Sequence, residues 1–409
     1  MTMRLLYAVQ RYGQEVAGGA EVACRTFAEH LAARSHHVEV VTSCALSYTD
    51  WSDHYEPGRH LVNGVAVHRL GVERPRDPAR FNALSAMVTS GGPTPLHVLR
   101  KWADEQGPTL NGYRRWMRTN ARRFDVVAFY TYLYQTTTDG IAAAASRTAT
   151  LLHPAAHHEW PLYLPIYDTI VRQADGFSFH TPEEGDLVGA RFGLHEVTSD
   201  APGLGLDDVP ATTDAAAFRR QFSLGQRPYA IVLGRVDPNK GTPEAIEYFL
   251  AYKRRHPGPL ALLVMGDVVH TMPAHPDVVM TGFVDDMTKH AALANAQVLI
   301  QPSYLESFSI VLLEAWQHQT PALVQRACDV LDGQTRRAAA GLAYRGFAEF
   351  EAMLQALTAS PRLREALGRS GASYVRDHYS WPVVIDRYEA LLRGTAEQGR
   401  RRLGLGARA

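Results

Sequence analysis

A chain of 409 residues with equal numbers of basic and acidic side chains, 42 each, is long for one core, and domain-size arithmetic predicts two domains of roughly 200 residues. The zero formal charge, with basic residues scattered apart from the C-terminal run GRRRLGLGARA, excludes a nucleic-acid-binding class, which needs a concentrated positive footprint. Cys24, Cys44 and Cys328 form neither a zinc motif nor an even disulfide framework, and no apolar window reaches ~18 residues, so the expectation is a soluble, cytoplasmic protein.

In chain order, RLLYAVQ reads as a strand, GGAEVACRTFAEHLAARS as a helix, and HVEVVTS and VAVHRL as strands. Over residues 74–120 the alternation becomes irregular. SGGPTP reads there as a loop, and LHVLRKWADEQ and YRRWMRTNA as helices, together an inserted helical region at the rim of the first sheet. The strands FDVVAFYTY and ATLLHP follow, and glycine, proline and aspartate then concentrate in SDAPGLGLDDVPATTD, residues 199–214, the expected linker. The second half restarts with the strand YAIVLG, the helix TPEAIEYFLAYKRRH, the strands LALLVMG and VVMTG, a helix around TKHAALANA, the strand QVLIQPS and a helix holding Glu314.

Strands alternating with helices predict parallel sheets with crossover helices. Two such halves predict an α/β chain of two doubly wound domains facing across a cleft. The expected boundaries are 1–203 for the first domain, rejoined by a returning helix at about 380–395, 204–379 for the second, and 396–409 for a flexible tail.

Ligands of open parallel sheets bind beyond the carboxyl ends of the strands, where loops feed helix N-termini. Three stretches fit that description. In PSYLESFSIVLLEAW a strand ends at Pro302, a loop carries Glu306, and a helix begins near Ser307 to Ser309, whose hydroxyls suit N-caps. The first amides of that helix form an anion site, and Glu314, expected about two turns along, suits a vicinal diol. The alternative for Glu314 is a polar helix face shared with Gln317.

In LGRVDPNKG a tight turn supplies Arg235 and Lys240 just before a helix, a setting for a diphosphate or simply a solvated turn. The chain has only four lysines, Lys101, Lys240, Lys253 and Lys289, so a lysine kept in this turn suggests a specific point charge. In VAGGAE, Gly18 and Gly19 permit close backbone approach at a helix start, or form an ordinary turn. His153, His157, His158 and Glu159 cluster after a strand. Adjacent His157 and His158 point apart, so a metal site is not expected, and one polar contact from His157 to a sugar is.

Together these residues resemble the retaining family 4 glycosyltransferases of GT-B fold, bacterial nucleotide-sugar enzymes. The likeness runs through GGAE, HHEWPLYLP, TPEE, GLGLD, GRVDPNKG, GFVDD, PSYLESFSIVLLEAW and YSWPVVIDRYEALL. It implies that Glu314 holds the donor ribose, Glu306 faces the donor sugar, and Arg235 and Lys240 bind the phosphates. It further implies that Ser307, Phe308, Ser309, Ile310 and Val311 bring helix-start donors, that Gly282 and Phe283 flank the base, and that Gly18, Gly19 and His157 approach the sugar. Four positions depart from the family pattern: Ser307 and Ser309 replace usual glycines, Gln319 replaces another, and His158 stands where aspartate is usual.

The implied reaction transfers a hexose-type sugar from a nucleoside diphosphate, UDP before GDP, to a hydroxyl of a small molecule or glycan, with retention and without a metal or further cofactor. The alternatives are a sugar-nucleotide epimerase, a phosphorylase, or a non-catalytic nucleotide-sugar-binding subunit. A dehydrogenase is disfavoured, since no GxGxxG follows the first strand. Tyr130, Tyr132, Tyr134 and Glu159 are candidate acceptor contacts, alternating aromatics on a strand being otherwise core. Membrane contact is not expected, and the chain is expected to be a monomer or homodimer.

Overall fold

A computed structural model describes residues 2–16, 18–90, 92–194, 197–209 and 215–405. The chain divides into two units, residues 1–203 with 385–409, and residues 204–384.

In the first unit, strands β1 (Arg4–Ala8), β2 (His37–Ser43), β3 (Gly58–Val62), β4 (Val65–Leu70), β5 (Val126–Tyr130), β6 (Ala149–His153), β7 (Gly176–Ser178) and β8 (Thr198–Asp200) form one sheet. Its order is β3-β4-β2-β1-β5-β6-β7-β8. All neighbours pair parallel except β3, which lies antiparallel on β4. The central strands β5 and β6 are buried at every residue, because a parallel sheet is covered on both faces and therefore takes unbroken apolar runs such as VVAFY.

The covering helices are α1 (Gly19–Ala33), α2 (Pro78–Thr89), α3 (Leu96–Gln106), α4 (Tyr113–Asn120), α5 (Gln135–Ala144), α6 (Asp168–Val171) and α7 (Pro182–Phe192). Helix α1 buries Cys24, Phe27, Ala28 and Leu31, the single stripe that a period of 3.6 places on one face. The irregular segment after residue 74 contains α2 as well as the two expected helices. Asp77 caps α2 by accepting from the amides of Ala79 and Arg80, with Pro78 at the first helical position, a local signal that the low apolar periodicity of α2 hides. Edge strand β8 takes the start of the expected linker, residues 199–200, while residues 210–214 of that linker lie outside the described residues.

In the second unit, β9 (Tyr229–Leu233), β10 (Ala261–Met265), β11 (Val278–Gly282), β12 (Val298–Gln301), β13 (Ala322–Gln325) and β14 (Gly341–Tyr344) form an all-parallel sheet in the order β11-β10-β9-β12-β13-β14. Its helices are α8 (Ala215–Gln221), α9 (Thr242–Arg255), α10 (Asp286–Asn295), α11 (Ile310–Gln317), α12 (Asp329–Ala338), α13 (Phe347–Ala359) and α14 (Pro361–Tyr379). The chain winds outward from β9 to β11, returns to the centre at β12, and winds the other way. That reversal opens a crevice at the carboxyl ends of β9 and β12; in the first sheet the same reversal falls between β1 and β5.

Helix α15 (Trp381–Arg402) begins in the second unit and continues in the first. It runs past the expected end near residue 395. Arg402 places Nε 2.6 Å from Oδ1 of the buried Asp175 and donates to the Thr148 carbonyl at 3.1 Å. A buried carboxylate needs such a cation, so residues 396–402 are packed helix and not the flexible tail that the sequence suggested. Residues 406–409 lie outside the described residues. The three cysteines are free and buried, and no described helix is long and apolar enough to cross a membrane.

Candidate functional site

The crevice of the second sheet collects residues from three strand ends. After β9 the chain turns through Gly234, Arg235 and the short helical turn Pro238–Lys240. Asp237 caps that turn by accepting from the Asn239 amide at 2.9 Å, and the Thr242 hydroxyl donates to the Arg235 carbonyl at 3.0 Å. Gly241 then takes φ +68, and a Cβ there would lie 2.3 Å from the Pro302 carbonyl oxygen. This close backbone approach, possible only for glycine, brings the β9 loop against the end of β12. As a result the Lys240 Nζ donates to Glu306 Oε1 at 2.9 Å. Arg235 stays half exposed, and among the described residues its ion partner is Asp237, 3.7 Å away.

Beyond β12, α11 starts at Ile310, later than the sequence suggested, and Ser309 is its N-cap residue without acting as a cap. Its backbone is left-handed, at φ +65, and its hydroxyl accepts from the buried Gln301 Nε2 at 2.8 Å. Gln319, past the other end of the helix, also takes positive φ, +58. Its amide donates to Trp316 and that of Thr320 to Ala315, both at 2.9 Å, the hydrogen-bond pattern of a helix end that normally carries glycine. Two of the positions where the sequence departs from glycine thus keep a glycine-like backbone and add a side chain to it.

Glu314 sits about one turn into α11, not two, and is only 9% exposed. Its Oε1 accepts from Lys289 Nζ of α10 at 2.7 Å, whereas its buried Oε2 has no hydrogen-bond partner among the described residues. This excludes the solvated helix face. Burial pulls the Lys289 ammonium down, but the Glu314 carboxylate, joined by Asp286 at 3.0 Å, outweighs it and holds the pKa above the ordinary lysine value. Lys289 escaped sequence reasoning, although it is one of only four lysines. At the end of β11 a register shift against β10 precedes Gly282, at φ +70, and Phe283 projects into solvent, 80% exposed. Ser307, Phe308 and Val311 lie in the same loop and first helical turn, and the buried Gln334 Nε2 of α12 donates to the Phe308 carbonyl.

In the first unit, Gly18 caps α1 positionally. A Cβ on it would fall 2.3 Å from Glu21 Oε2, so its role is to admit the buried Arg11–Glu21 pair, in which Arg11 Nε donates to Oε1 at 2.9 Å. Gly19 faces open space. After β6, His153 is buried and bonded to the Tyr388 hydroxyl at 2.7 Å, and burial followed by repulsion from His180 pushes its pKa well below the ordinary value. His157 follows on a loop held by Glu184 of α7, which accepts from the amides of Ala156 at 2.8 Å and His180 at 2.7 Å. The buried Glu184 was missed; its signal is the helix-start pattern TPEE, in which Thr181 accepts from the Glu184 amide. The buried His157 Nδ1 has no hydrogen-bond partner among the described residues, and its Nε2 lies 4.0 Å from Glu159. His158 turns away to the Tyr163 hydroxyl, 2.6 Å distant.

The tyrosines need correcting as acceptor walls. Tyr130 is core, stacked on His153 with centroids 4.1 Å apart, because a central strand buries both faces. Tyr132 is buried and reaches Glu159 only through its hydroxyl, at 2.7 Å. Tyr134 is half-buried and edge-on to Trp51. Of the four acceptor candidates Glu159 remains partly exposed alongside Tyr134.

Residues 214–373 match the family described as Glycosyl transferases group 1. This part of the chain is a group 1 glycosyltransferase domain. It contains the whole crevice built by Arg235, Lys240, Lys289, Glu306 and Glu314. The chain is similar to a D-inositol 3-phosphate glycosyltransferase of Kribbella flavida, 28% identical over 264 residues, a match covering 58% of this chain and 61% of that protein. Among solved structures, sucrose-phosphate synthase from Thermosynechococcus elongatus superposes with TM-score 0.68 at 18% identity, covering 96% of this chain and 98% of that one. Anabaena Alr3699/HepE in complex with UDP and glucose gives TM-score 0.68 at 13% identity, covering 96% and 99%. Both sheets of this chain thus belong to the GT-B fold.

Proposed function

We propose that the protein transfers a hexose-type sugar from a nucleoside diphosphate donor, UDP before GDP, to a hydroxyl acceptor with retention at the anomeric carbon. The observation that carries the donor reading is the Glu314 Oε2: a buried carboxylate oxygen without a hydrogen-bond partner is costly, and a ribose hydroxyl donating to it removes that cost. Lys289 fixes the other oxygen, so one side of the carboxylate is set for a ligand. Around it, Arg235, Lys240 and the first amides of α11, at Ile310 and Val311, supply positive potential for a diphosphate leaving group as its charge develops. These cations do the work that a metal performs in other transferases, and Phe283 is the exposed ring against which a base stacks.

Retention rests on the resemblance to the retaining family. UDP is favoured by the likeness to HepE, described with UDP and glucose bound. The second unit is then the donor half, and the first unit, through Gly18, Gly19, His157 and Glu159, the acceptor half. Glu306 faces the reacting sugar once a donor phosphate draws Lys240 away from it.

The test is thermal unfolding with UDP, GDP, ADP and TDP, each with and without EDTA, followed by turnover of the matching donor sugar by wild type and by Glu306→Ala. A nucleotide at 100 times its dissociation constant adds about 2.7 kcal/mol of stability. One nucleotide stabilising regardless of EDTA, with binding kept and turnover lost in Glu306→Ala, is the expected result. No stabilisation by any nucleotide overturns the donor reading. Unchanged turnover in Glu306→Ala removes that residue from the chemistry, and a donor altered without any acceptor marks an epimerase.

A further inference from the structure

We propose that the first unit carries a second anion site, for a sugar phosphate, at the amino ends of β5 and β6. These are the opposite strand ends from the loops bearing Gly18 and His157. A cavity of about 330 Å³ opens there, and its walls include Arg122, Arg147, Arg400, Asp125, Thr148 and Leu405.

The three arginines come from three separate segments: the short helical turn Ala121–Arg123, the loop between α5 and β6, and the last turn of α15. In two of these segments a neighbouring arginine is engaged within the fold. Arg123 lies 3.6 Å from Glu39 and donates to Asn120 at 3.0 Å, and Arg402 holds Asp175. The guanidinium groups of Arg122, Arg147 and Arg400 have no ion pair or hydrogen bond among the described residues. Among the described residues Asp125 is the one acid in the cavity wall, and its Oδ2 already accepts from the Arg4 amide at 2.8 Å.

Three unpaired guanidinium groups around one concavity repel each other, and a dianion converts that repulsion into attraction. With one acid against three arginines the wall carries two net positive charges, which matches the roughly −1.5 to −2 of a phosphate monoester at neutral pH better than the single charge of a diester. The volume lies at the lower end of the ~300–1,000 Å³ usual for small-molecule sites, room for a phosphate and one sugar ring. A concave wall with one acid suits a small soluble ester better than a bilayer surface, which protruding basic side chains meet.

The experiment is calorimetric titration of the full chain with ribose 5-phosphate, inorganic phosphate and ribose, repeated on the triple variant R122A/R147A/R400A. Ribose 5-phosphate is expected to bind at one site and ribose to give no heat. The triple variant should bind the ester at least about tenfold more weakly while melting, without ligand, at the wild-type temperature. Arg147→Glu alone, in an exposed loop, must weaken binding more than Arg147→Lys, which keeps the proposal testable if the triple variant misfolds. Equal binding by the variants places the phosphate elsewhere, such as the donor crevice, and overturns the proposal. So does a failure of either phosphate probe to bind, or association only with vesicles containing phosphatidylglycerol.

Discussion

At the reversal point of the first sheet, Arg11 and Glu21 pair with side chains 8% and 7% exposed, while at that of the second, Lys240 pairs with Glu306 at 38% and 13%, beside an Arg235 that is 52% exposed. Both crevices hold a cation and a carboxylate beside a helix start. The first pair is sealed by the fold; the second is open to water on its lysine side, from which the proposed donor phosphate would reach it. Burial, and not residue type, separates the sealed ion pair from the one proposed to exchange with a donor phosphate.

The largest effect expected from that difference is on the sealed pair. Glu21→Ala leaves the Arg11 guanidinium buried without its carboxylate and should destabilise the protein by about 3–5 kcal/mol in denaturant unfolding. A loss below about 1 kcal/mol would erase the distinction between the two crevices.

Lys240→Ala should do the reverse. Its stability should stay within about 1 kcal/mol of wild type, because the pair is open to solvent. Its affinity for the stabilising nucleotide, measured by calorimetry, should fall by about 1.5–3 kcal/mol, or roughly 10- to 150-fold. Equal affinity in the two proteins would remove Lys240 from phosphate binding.

Gly241→Ala sharpens the contrast from the backbone side. It forces a Cβ toward the Pro302 carbonyl at positive φ and should cost about 1–3 kcal/mol of stability, with nucleotide binding weakened because the β9 loop is pushed off β12. A variant as stable as wild type would mean that the loop yields without strain.

Gln319→Gly carries the smallest effect and the opposite sign. Relieving a left-handed glutamine at the end of α11 should stabilise the protein by about 1 kcal/mol, seen as a raised unfolding midpoint, and leave nucleotide affinity unchanged. A destabilised variant would show that the glutamine side chain contributes more than its backbone strain removes.

How much of this was legible differs between strand and contact. HVEVVTS and VAVHRL were readable as strands to the residue, since their apolar runs and flanking turns are local. Edge strands β3 and β8 were not, because a half-exposed edge carries no apolar signature: Arg59, His60 and the exposed Leu61 lie within β3. The glycine loops and the two glutamates stood out by composition. Lys289 did not, since nothing local ties α10 to a carboxylate 25 residues later. Ser309 looked like an N-cap because serine commonly is one, yet Gln301, on a neighbouring segment, claims its hydroxyl.

The sequence by itself determined the alternation of strands and helices, its restart in a second half, and which loops hold glycines, cations and carboxylates, because these follow from periodicity and turn chemistry along a few residues. Only the tertiary structure decided that Lys240 meets Glu306 across 66 positions, that Lys289 leaves one Glu314 oxygen unpartnered, that Tyr130 is core, and that Arg402 anchors the last helix on Asp175. The physical reason is common to all four. Strand order and helix packing choose which distant side chains share a desolvated space, and local pattern is silent on that choice.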